Sequence, residues 1–139
     1  MRTVARVVRI AAMASSIFAA FTVYATTPTE IQQGYEQAAR SGATSFGGFS
    51  AQRGEQFFKS RHANDWSCAS CHTQAPAQEG KHAQTGKTIA PLAPSANAQR
   101  FTDPAKVEKW FKRNCNDVLQ RPCTAQEKGD VLQYLLSLR

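Results

Sequence analysis

The clearest pattern along the chain is a helical repeat of apolar positions in its C-terminal third. In TDPAKVEKWFKRN the positions i, i+3, i+4 and i+7 are held by Val107, Trp110, Phe111 and Asn114. Asp103 is a typical N-cap, and Pro104 suits the first helical position, where its missing N–H costs nothing. The segment therefore predicts an amphipathic helix whose apolar face ends in the amide of Asn114.

Two further helices are predicted to pack against each other. In TAQEKGDVLQYLLSL, Thr124 and Glu127 have the spacing of a capping box. The buried stripe of this last helix is predicted to consist of Val131, Leu132, Leu135 and Leu138. Another helix is expected from near Ser50, and in it Gly54 lies one turn from Phe58. A missing side chain beside an aromatic ring allows a close crossing, so we expect the Gly54 helix to contact the last one.

The remaining segments are less regular. TPTEIQQGYEQAAR, from Thr27 to Arg40, predicts a first helix with Thr29 as its cap, and SGATSFGG, from Ser41 to Gly48, a linker. From about Thr73 to Phe101 small and polar residues dominate without a helical period. Roughly thirty residues are long for a bare loop in a small domain, so something other than a protein core is expected to order them. Nowhere in the chain do apolar and polar residues alternate with a period of two, as they would in a half-buried strand. The predicted fold is therefore all-α.

The first 25 residues resemble a secretory signal peptide. Three arginines precede an apolar run from Ile10 to Ala25, which is about 16 residues long. A membrane-spanning helix needs roughly 20, and Val23-Tyr24-Ala25 suits a signal peptidase. We expect cleavage after Ala25 and a periplasmic location, with an uncleaved membrane anchor as the alternative.

The charge of the chain argues against nucleic-acid binding. The formal net charge is +7, but three of the 17 basic residues lie in the predicted signal peptide, which leaves 14 basic against 10 acidic residues. These basic residues are scattered, without a dense cluster or interleaved stacking aromatics. We therefore expect a solvated surface or docking to an acidic protein partner.

The strongest chemical signal is the pattern C-x-x-C-H at Cys68, Cys71 and His72. This pattern attaches c-type haem, because both thiols add to the haem vinyl groups and the adjacent imidazole is held against the iron. A zinc site would need two more ligands nearby, and the other cysteines lie more than 40 residues away. A thioredoxin-like pair would follow a strand in a β-α-β pattern, which is absent. The sequence therefore predicts one covalently bound haem c.

A bound haem would also explain the long polar stretch, since loops can cover its apolar surface. In TGKTIAPLAPS, from Thr85 to Ser95, the candidate haem contacts are Ile89, Leu92 and the two prolines, and Trp110 is a further candidate. One of the proline carbonyls is a candidate acceptor for the second ring nitrogen of His72.

The sixth position of the iron decides the function. Methionine is the usual ligand of electron-transfer cytochromes, but the only methionines, Met1 and Met13, lie in the predicted signal peptide. The remaining candidates are His62, His82, a lysine, an amide or no ligand. Asn114 is a candidate because a buried amide needs a partner, and an iron would provide one. The alternative is an amide that caps the end of its own helix.

Longer blocks of sequence carry a family resemblance. From about Gly54 to Leu136 the chain resembles the sphaeroides haem protein (SHP) group of class I c-type cytochromes. The blocks that carry the resemblance are GEQFF, CASCH, TGKTIAPLAPSA, RFTD, VEKWFKRNCND and TAQEKGDVLQYLL. The resemblance implies a class I cytochrome c fold around one covalent haem. The expected organisation is a signal peptide at 1–25, an N-terminal helix and linker at 26–49, and a cytochrome c domain at 50–139.

The resemblance also implies roles for six residues. In that family the C-x-x-C-H histidine is the proximal ligand, and the sixth ligand is the asparagine directly before the first cysteine of a C-terminal disulfide. These roles fall here on His72, on Asn114 and on a disulfide between Cys115 and Cys123, with haem attached to Cys68 and Cys71. The similar cytochromes c″ have a histidine at the Asn114 position, so the asparagine places the chain with SHP.

The implied function is ligand exchange at the iron. An amide oxygen is a hard, weak-field ligand that suits ferric iron better than ferrous iron, so reduction is expected to release Asn114 and allow oxygen or nitric oxide to bind. The resemblance further implies a di-haem cytochrome c and a membrane cytochrome b as electron donors. Three hypotheses follow: a reductase of a small oxidant such as oxygen, nitric oxide or peroxide, a plain electron carrier, and a gas sensor or carrier without turnover.

Overall fold

A computed structural model describes residues 26–42 and 45–139, so the predicted signal peptide and part of the predicted linker lie outside the described residues. The fold is all-α, as predicted, and is built from α1 (Pro28–Gly42), α2 (Ala51–Lys59), a 3-10 turn (Ala63–Asp65), α3 (Ala69–His72), α4 (Pro104–Leu119) and α5 (Ala125–Ser137). Within these described ranges, no helix has the length and apolar character needed to cross a bilayer.

One small hairpin departs from the expectation of no strand. β1 (Gly80–Lys81) pairs antiparallel with β2 (Thr88–Ile89), and Gly80 lies opposite Ile89. The prediction is wrong for these four residues because a two-residue strand is too short to show an alternating pattern. The hairpin lies in the polar stretch after α3.

The crossing of α2 and α5 forms the centre of the core. Ser50 caps α2 by accepting a hydrogen bond from the Arg53 amide at 3.2 Å, which confirms the predicted start. A methyl group on Gly54 would overlap the backbone carbonyl of Asp130 in α5. The predicted contact between these helices is therefore confirmed. Of the predicted stripe of α5, three residues are buried and the fourth is half-buried, namely Val131, Leu132, Leu135 and Leu138 respectively.

A buried carboxylate joins the same two helices. Asp130 accepts hydrogen bonds from the Ser50 amide at 2.7 Å, from Arg53 Nε at 2.9 Å and from Gln126 Nε2 at 3.1 Å. A buried charge is tolerated when it is paired and hydrogen-bonded in this way. The network holds the first turn of α2 against α5.

Helix α1 packs on α5 through Ile31, Tyr35 and Ala39, which are all buried. Thr27 rather than Thr29 caps the helix: its hydroxyl accepts from the Glu30 amide at 3.2 Å, and its own amide donates to Glu30 Oε2 at 2.7 Å. The prediction of Thr29 is wrong because the helix begins at Pro28, and proline is favoured at the first helical position, directly after the cap.

Helix α4 begins where it was predicted to begin but extends beyond its predicted end at Asn114. The Asp103 carboxylate accepts from the Lys106 amide at 3.0 Å, but the helix continues to Leu119 and ends at Gln120, whose φ is 57°. Its buried residues are Val107, Cys115 and Val118, whereas Trp110 is 43% exposed. The added turn completes the buried face, so Trp110 lies at the edge of this face rather than within it.

Candidate haem-binding site

Cys71 and His72 lie on the single turn of α3, and Cys68 directly precedes that turn as its N-cap residue. Ser67 and Ser70 cap this turn reciprocally, with the Ser67 amide donating to Ser70 Oγ at 3.0 Å and the Ser70 amide donating to Ser67 Oγ at 3.1 Å. The Cys68 carbonyl then accepts from the His72 amide at 3.0 Å. The serines of SCASCH therefore fold the motif locally, and the turn brings both cysteines and the histidine together.

The β1–β2 hairpin packs against α3. A methyl group on Gly80 would overlap the Cys71 carbonyl and would lie 3.1 Å from His72 Cα, so only glycine fits there. The Ala83 amide also donates to Cys71 Sγ at 3.4 Å. Gly80 therefore has a positional role in the site, although a glycine in a polar loop gives no sequence signal for it.

His72 lies in a partly buried, aromatic environment. Its ring centroid is 6.3 Å from that of Phe58, which is a fully buried residue of α2. Burial, and to a lesser degree the positive charge of Arg100, lowers the pKa of His72 to about 4. The imidazole is therefore neutral near pH 7, which is the form that binds a metal.

The two motif cysteines do not form a disulfide with each other. Burial raises the pKa of the Cys68 thiol to about 12. A thioredoxin-like pair needs a lowered thiol pKa, so the environment of Cys68 does not favour that alternative. In the part of the chain that the structure describes, no group of three or more His, Cys, Asp and Glu side chains is arranged to hold a metal ion.

The polar stretch is ordered partly by hydrogen bonds within the protein. The Pro76 carbonyl accepts from the amides of Leu92 at 2.8 Å and Ala93 at 3.0 Å. Leu92 is half-buried and packs against the core, and Ile89 is half-buried in β2. The stretch was expected to be ordered by something other than a protein core, and these local pairs of backbone donors and acceptors contribute to its order.

Arg100 binds the same segment from its C-terminal side. Its Nη2 donates to the Ala90 carbonyl at 2.6 Å, and its Nε donates to the Pro91 carbonyl at 2.9 Å. Asn97 Nδ2 also reaches the Pro91 carbonyl, at 3.3 Å. Among the described residues no hydrogen bond joins His72 to Pro91 or Pro94, so the predicted acceptor for His72 is not found. Arg100 opens the RFTD block of the family resemblance, but the sequence analysis gave it no role in the site.

The two histidines considered as sixth ligands have protein partners. His62 Nε2 is 2.8 Å from the Phe57 carbonyl oxygen, and His82 Nδ1 accepts from the Thr85 amide at 3.2 Å. Asn114 differs from both, because its half-buried side chain makes no hydrogen bond with any residue in the described ranges, and its amide atoms are accessible to solvent. Since Gln120 ends α4, Asn114 does not cap its own helix.

A second cysteine pair follows Asn114 directly. The sulfurs of Cys115 and Cys123 are joined, with the Cα atoms 5.6 Å apart, and Cys115 is buried. The bond connects the inner face of α4 to the turn before α5. Asn114 therefore lies beside a covalent constraint.

These residues fit a covalently bound haem c. The motif provides two thiols one turn apart, which suits attachment to two vinyl groups, and a neutral imidazole next to them. Phe58, Leu92 and Phe111 provide apolar surface around the same core.

Comparisons with known proteins agree with a c-type haem protein. The family described as "Domain of unknown function (DUF1924)" matches residues 44–135. The cytochrome c-type protein SHP of Cereibacter sphaeroides is 45% identical over 114 residues, which cover 79% of this chain and 83% of the relative. The structure of oxidised SHP, described as an oxygen binding cytochrome c, matches with a TM-score of 0.69 and 45% identity over 80% of this chain and 96% of that one.

Cytochrome c″ from Methylophilus methylotrophus is similar as well. Its oxidised crystal structure matches with a TM-score of 0.73 and 39% identity, covering 81% of this chain and 94% of that one. Its solution structure, described as an insight into haem-ligand detachment, matches with a TM-score of 0.69 and 39% identity over 79% of this chain and 92% of that one. The chain therefore belongs to the family of SHP and cytochrome c″, all-α c-type cytochromes, and its cofactor is one covalently bound haem c.

Proposed function

We propose that the chain is an exported mono-haem cytochrome that transfers electrons and binds a small ligand, oxygen or nitric oxide, after Asn114 leaves the iron. The single observation that carries the proposal is the half-buried Asn114 amide without a protein partner in the described ranges. The description of SHP as an oxygen binding cytochrome and that of cytochrome c″ in terms of haem-ligand detachment support it.

The residues of α3 would hold the haem. Cys68 and Cys71 provide the two thioether bonds, and His72 provides the proximal ligand through its neutral imidazole. When bound, the haem iron supplies the redox and ligand-binding chemistry. Gly80 keeps the hairpin close to Cys71, and Arg100 holds the chain after the hairpin through the Ala90 and Pro91 carbonyls.

Asn114 would act as the exchangeable ligand. Its amide oxygen is a hard, neutral donor and prefers the ferric state, so reduction favours its release. No hydrogen bond to a described residue opposes that movement. A disulfide between Cys115 and Cys123, oxidised in the periplasm, would limit how far the asparagine swings.

Further parts of the proposal concern location, donors and turnover. We propose that the protein is exported to the periplasm with cleavage after Ala25, and that a di-haem cytochrome c and a membrane cytochrome b supply its electrons. The proposed turnover is reduction of a small oxidant, namely oxygen, nitric oxide or peroxide. Ligand exchange at the iron permits this reaction, because a released amide leaves one position accessible.

The variant Asn114→His tests the ligand assignment. Imidazole is a stronger ligand than an amide, so we expect the ferric absorption spectrum to change from high-spin to low-spin, as in a bis-histidine haem. The matched control is Asn116→His, which places the same side chain on an exposed position of α4 and should leave the spectrum unchanged. An unchanged spectrum for Asn114→His would assign the sixth ligand to another residue, and His82 would be tested first.

A further inference from the structure

The outer face of α4 carries a basic cleft. It has a volume of about 320 Å³ and is lined by Lys109, Lys112, Arg113, Asn116 and Pro122. The first four residues lie on α4 at helical spacing, and Pro122 belongs to the turn that leads to Cys123. We call this surface the α4 cleft.

The positive charge of the α4 cleft is largely uncompensated. Lys109 and Lys112 are exposed and form no ion pair with any residue in the described ranges. Arg113 has only a long contact with Asp117, at 3.9 Å between Nε and Oδ2, and its guanidinium carbon lies 5.7 Å from the Trp110 ring centroid. Three cations therefore converge on one concave surface.

The other acidic residue of α4 does not offset these charges. Glu108 binds Lys128 Nζ at 2.6 Å and accepts from the Tyr35 hydroxyl at 2.6 Å, so it faces α1 and α5 rather than the α4 cleft. Arg121, in the turn before Pro122, is paired with Glu127 at 2.6 Å. The charged residues near α4 therefore form two groups. Those that face α1 and α5 form ion pairs, whereas those on the outer face are basic and exposed.

The α4 cleft lies on the segment that presents Asn114. Arg113 precedes Asn114 on the helix, and the disulfide joins the two parts of the chain that line the cleft, α4 and the turn before α5. A protein bound in the cleft would therefore contact both segments that the disulfide joins beside Asn114.

We propose that the α4 cleft is the docking site for an acidic electron-transfer protein, which inserts surface carboxylates between Lys109, Lys112 and Arg113. This inference rests on the electron-transfer role in the proposed function. Complementary charge raises the rate of encounter and orients the partner. A concave site suits a protruding carboxylate side chain better than the flat surface of an anionic membrane, so a protein is the favoured occupant.

The experiment compares two charge reversals in the ferric holoprotein. The test variant is Lys109→Glu/Lys112→Glu, and the matched control is Lys81→Glu/Lys87→Glu, which reverses two exposed lysines of the hairpin. Stopped-flow absorption measures reduction by fully reduced flavodoxin, an acidic electron-transfer protein. At about 10 mM salt we expect the test variant to react about tenfold more slowly and the control to react like the wild type. At about 1 M salt the difference should vanish.

A second reductant separates docking from a change at the haem. The lumiflavin semiquinone is small and uncharged near neutral pH, so the rate at which it reduces the haem should be the same for the wild type and both variants. Equal slowing of both double variants with flavodoxin, or no slowing of the test variant, would overturn the proposal. A membrane-binding role would also overturn the proposal. It would be shown if the test variant reacts with flavodoxin at the wild-type rate but no longer binds phosphatidylglycerol vesicles. The spectrum of Asn114→His reports on the proposed function independently of these outcomes.

Discussion

The amide of Asn114 lies on an otherwise apolar face of α4, together with Val107, Phe111 and Val118. The helical repeat placed it on that face, and the predicted apolar face ended at this residue. In the structure the polar Asn116 and Asp117 point outward while Cys115 and Val118 are buried. The end of α4 was missed because a run of polar letters does not distinguish an exposed helix face from a loop.

Gly80 and Arg100 show what the sequence does not reveal about the site. Each acts through close contact with a segment distant along the chain, Gly80 with Cys71 and Arg100 with Ala90 and Pro91. Local propensity carries no information on such contacts. Gly54 was easier to interpret, because one turn separates it from Phe58 and the pair suggested a helix crossing.

Replacement of Gly54 by alanine is predicted to destabilise the protein. The new methyl group would overlap the Asp130 carbonyl, a backbone atom that cannot move aside alone. We expect a loss of about 2 to 3 kcal/mol in the free energy of unfolding, measured by urea denaturation of the holoprotein with circular dichroism. The control Gly34→Ala, with open space around it in α1, should gain about 0.5 to 1 kcal/mol. Equal stabilities of Gly54→Ala and the wild type would contradict the close crossing.

Among the elements, the long helices could be predicted and the connecting structures could not. The caps at Ser50, Asp103 and Thr124 marked the starts of α2, α4 and α5 because their side chains bind the first free amides. The β1–β2 hairpin was missed because its strands are two residues long. The stretch around it depends on the Pro76 and Pro91 carbonyls, which any residue in those positions would also provide.

The disulfide beside α4 is predicted to limit the movement of Asn114 as well as to stabilise the protein. It closes a loop with a sequence separation of 8, which by chain entropy stabilises the protein by about 2 to 3 kcal/mol. Treatment with a thiol reductant should lower the free energy of unfolding by this amount. It should also change the rate at which carbon monoxide binds the reduced protein. Haem thioethers do not react with thiols, so the double variant Cys115→Ser/Cys123→Ser, treated in the same way, is the control and should show no further change. Unchanged kinetics of carbon monoxide binding after reduction of the bond would contradict this effect of the disulfide on Asn114.

At the scale of the whole molecule, α2 and α1 both pack on α5, and Ala69 of α3 and Val107 of α4 join the same hydrophobic core. Five residues, Cys-Ala-Ser-Cys-His, indicated the cofactor, and the comparisons confirm a c-type cytochrome of the SHP and cytochrome c″ family. In the proposed function, binding of oxygen or nitric oxide depends on one weak ligand, because a stronger ligand would keep the iron closed to both.

The most direct test of this account is the absorption spectrum of the dithionite-reduced protein, recorded with and without carbon monoxide. Release of Asn114 on reduction predicts a high-spin ferrous spectrum that shifts to a low-spin carbon monoxide complex when the gas is added. A ferrous spectrum that is low-spin and unaffected by carbon monoxide would contradict the account, and the chain would then be a plain electron carrier.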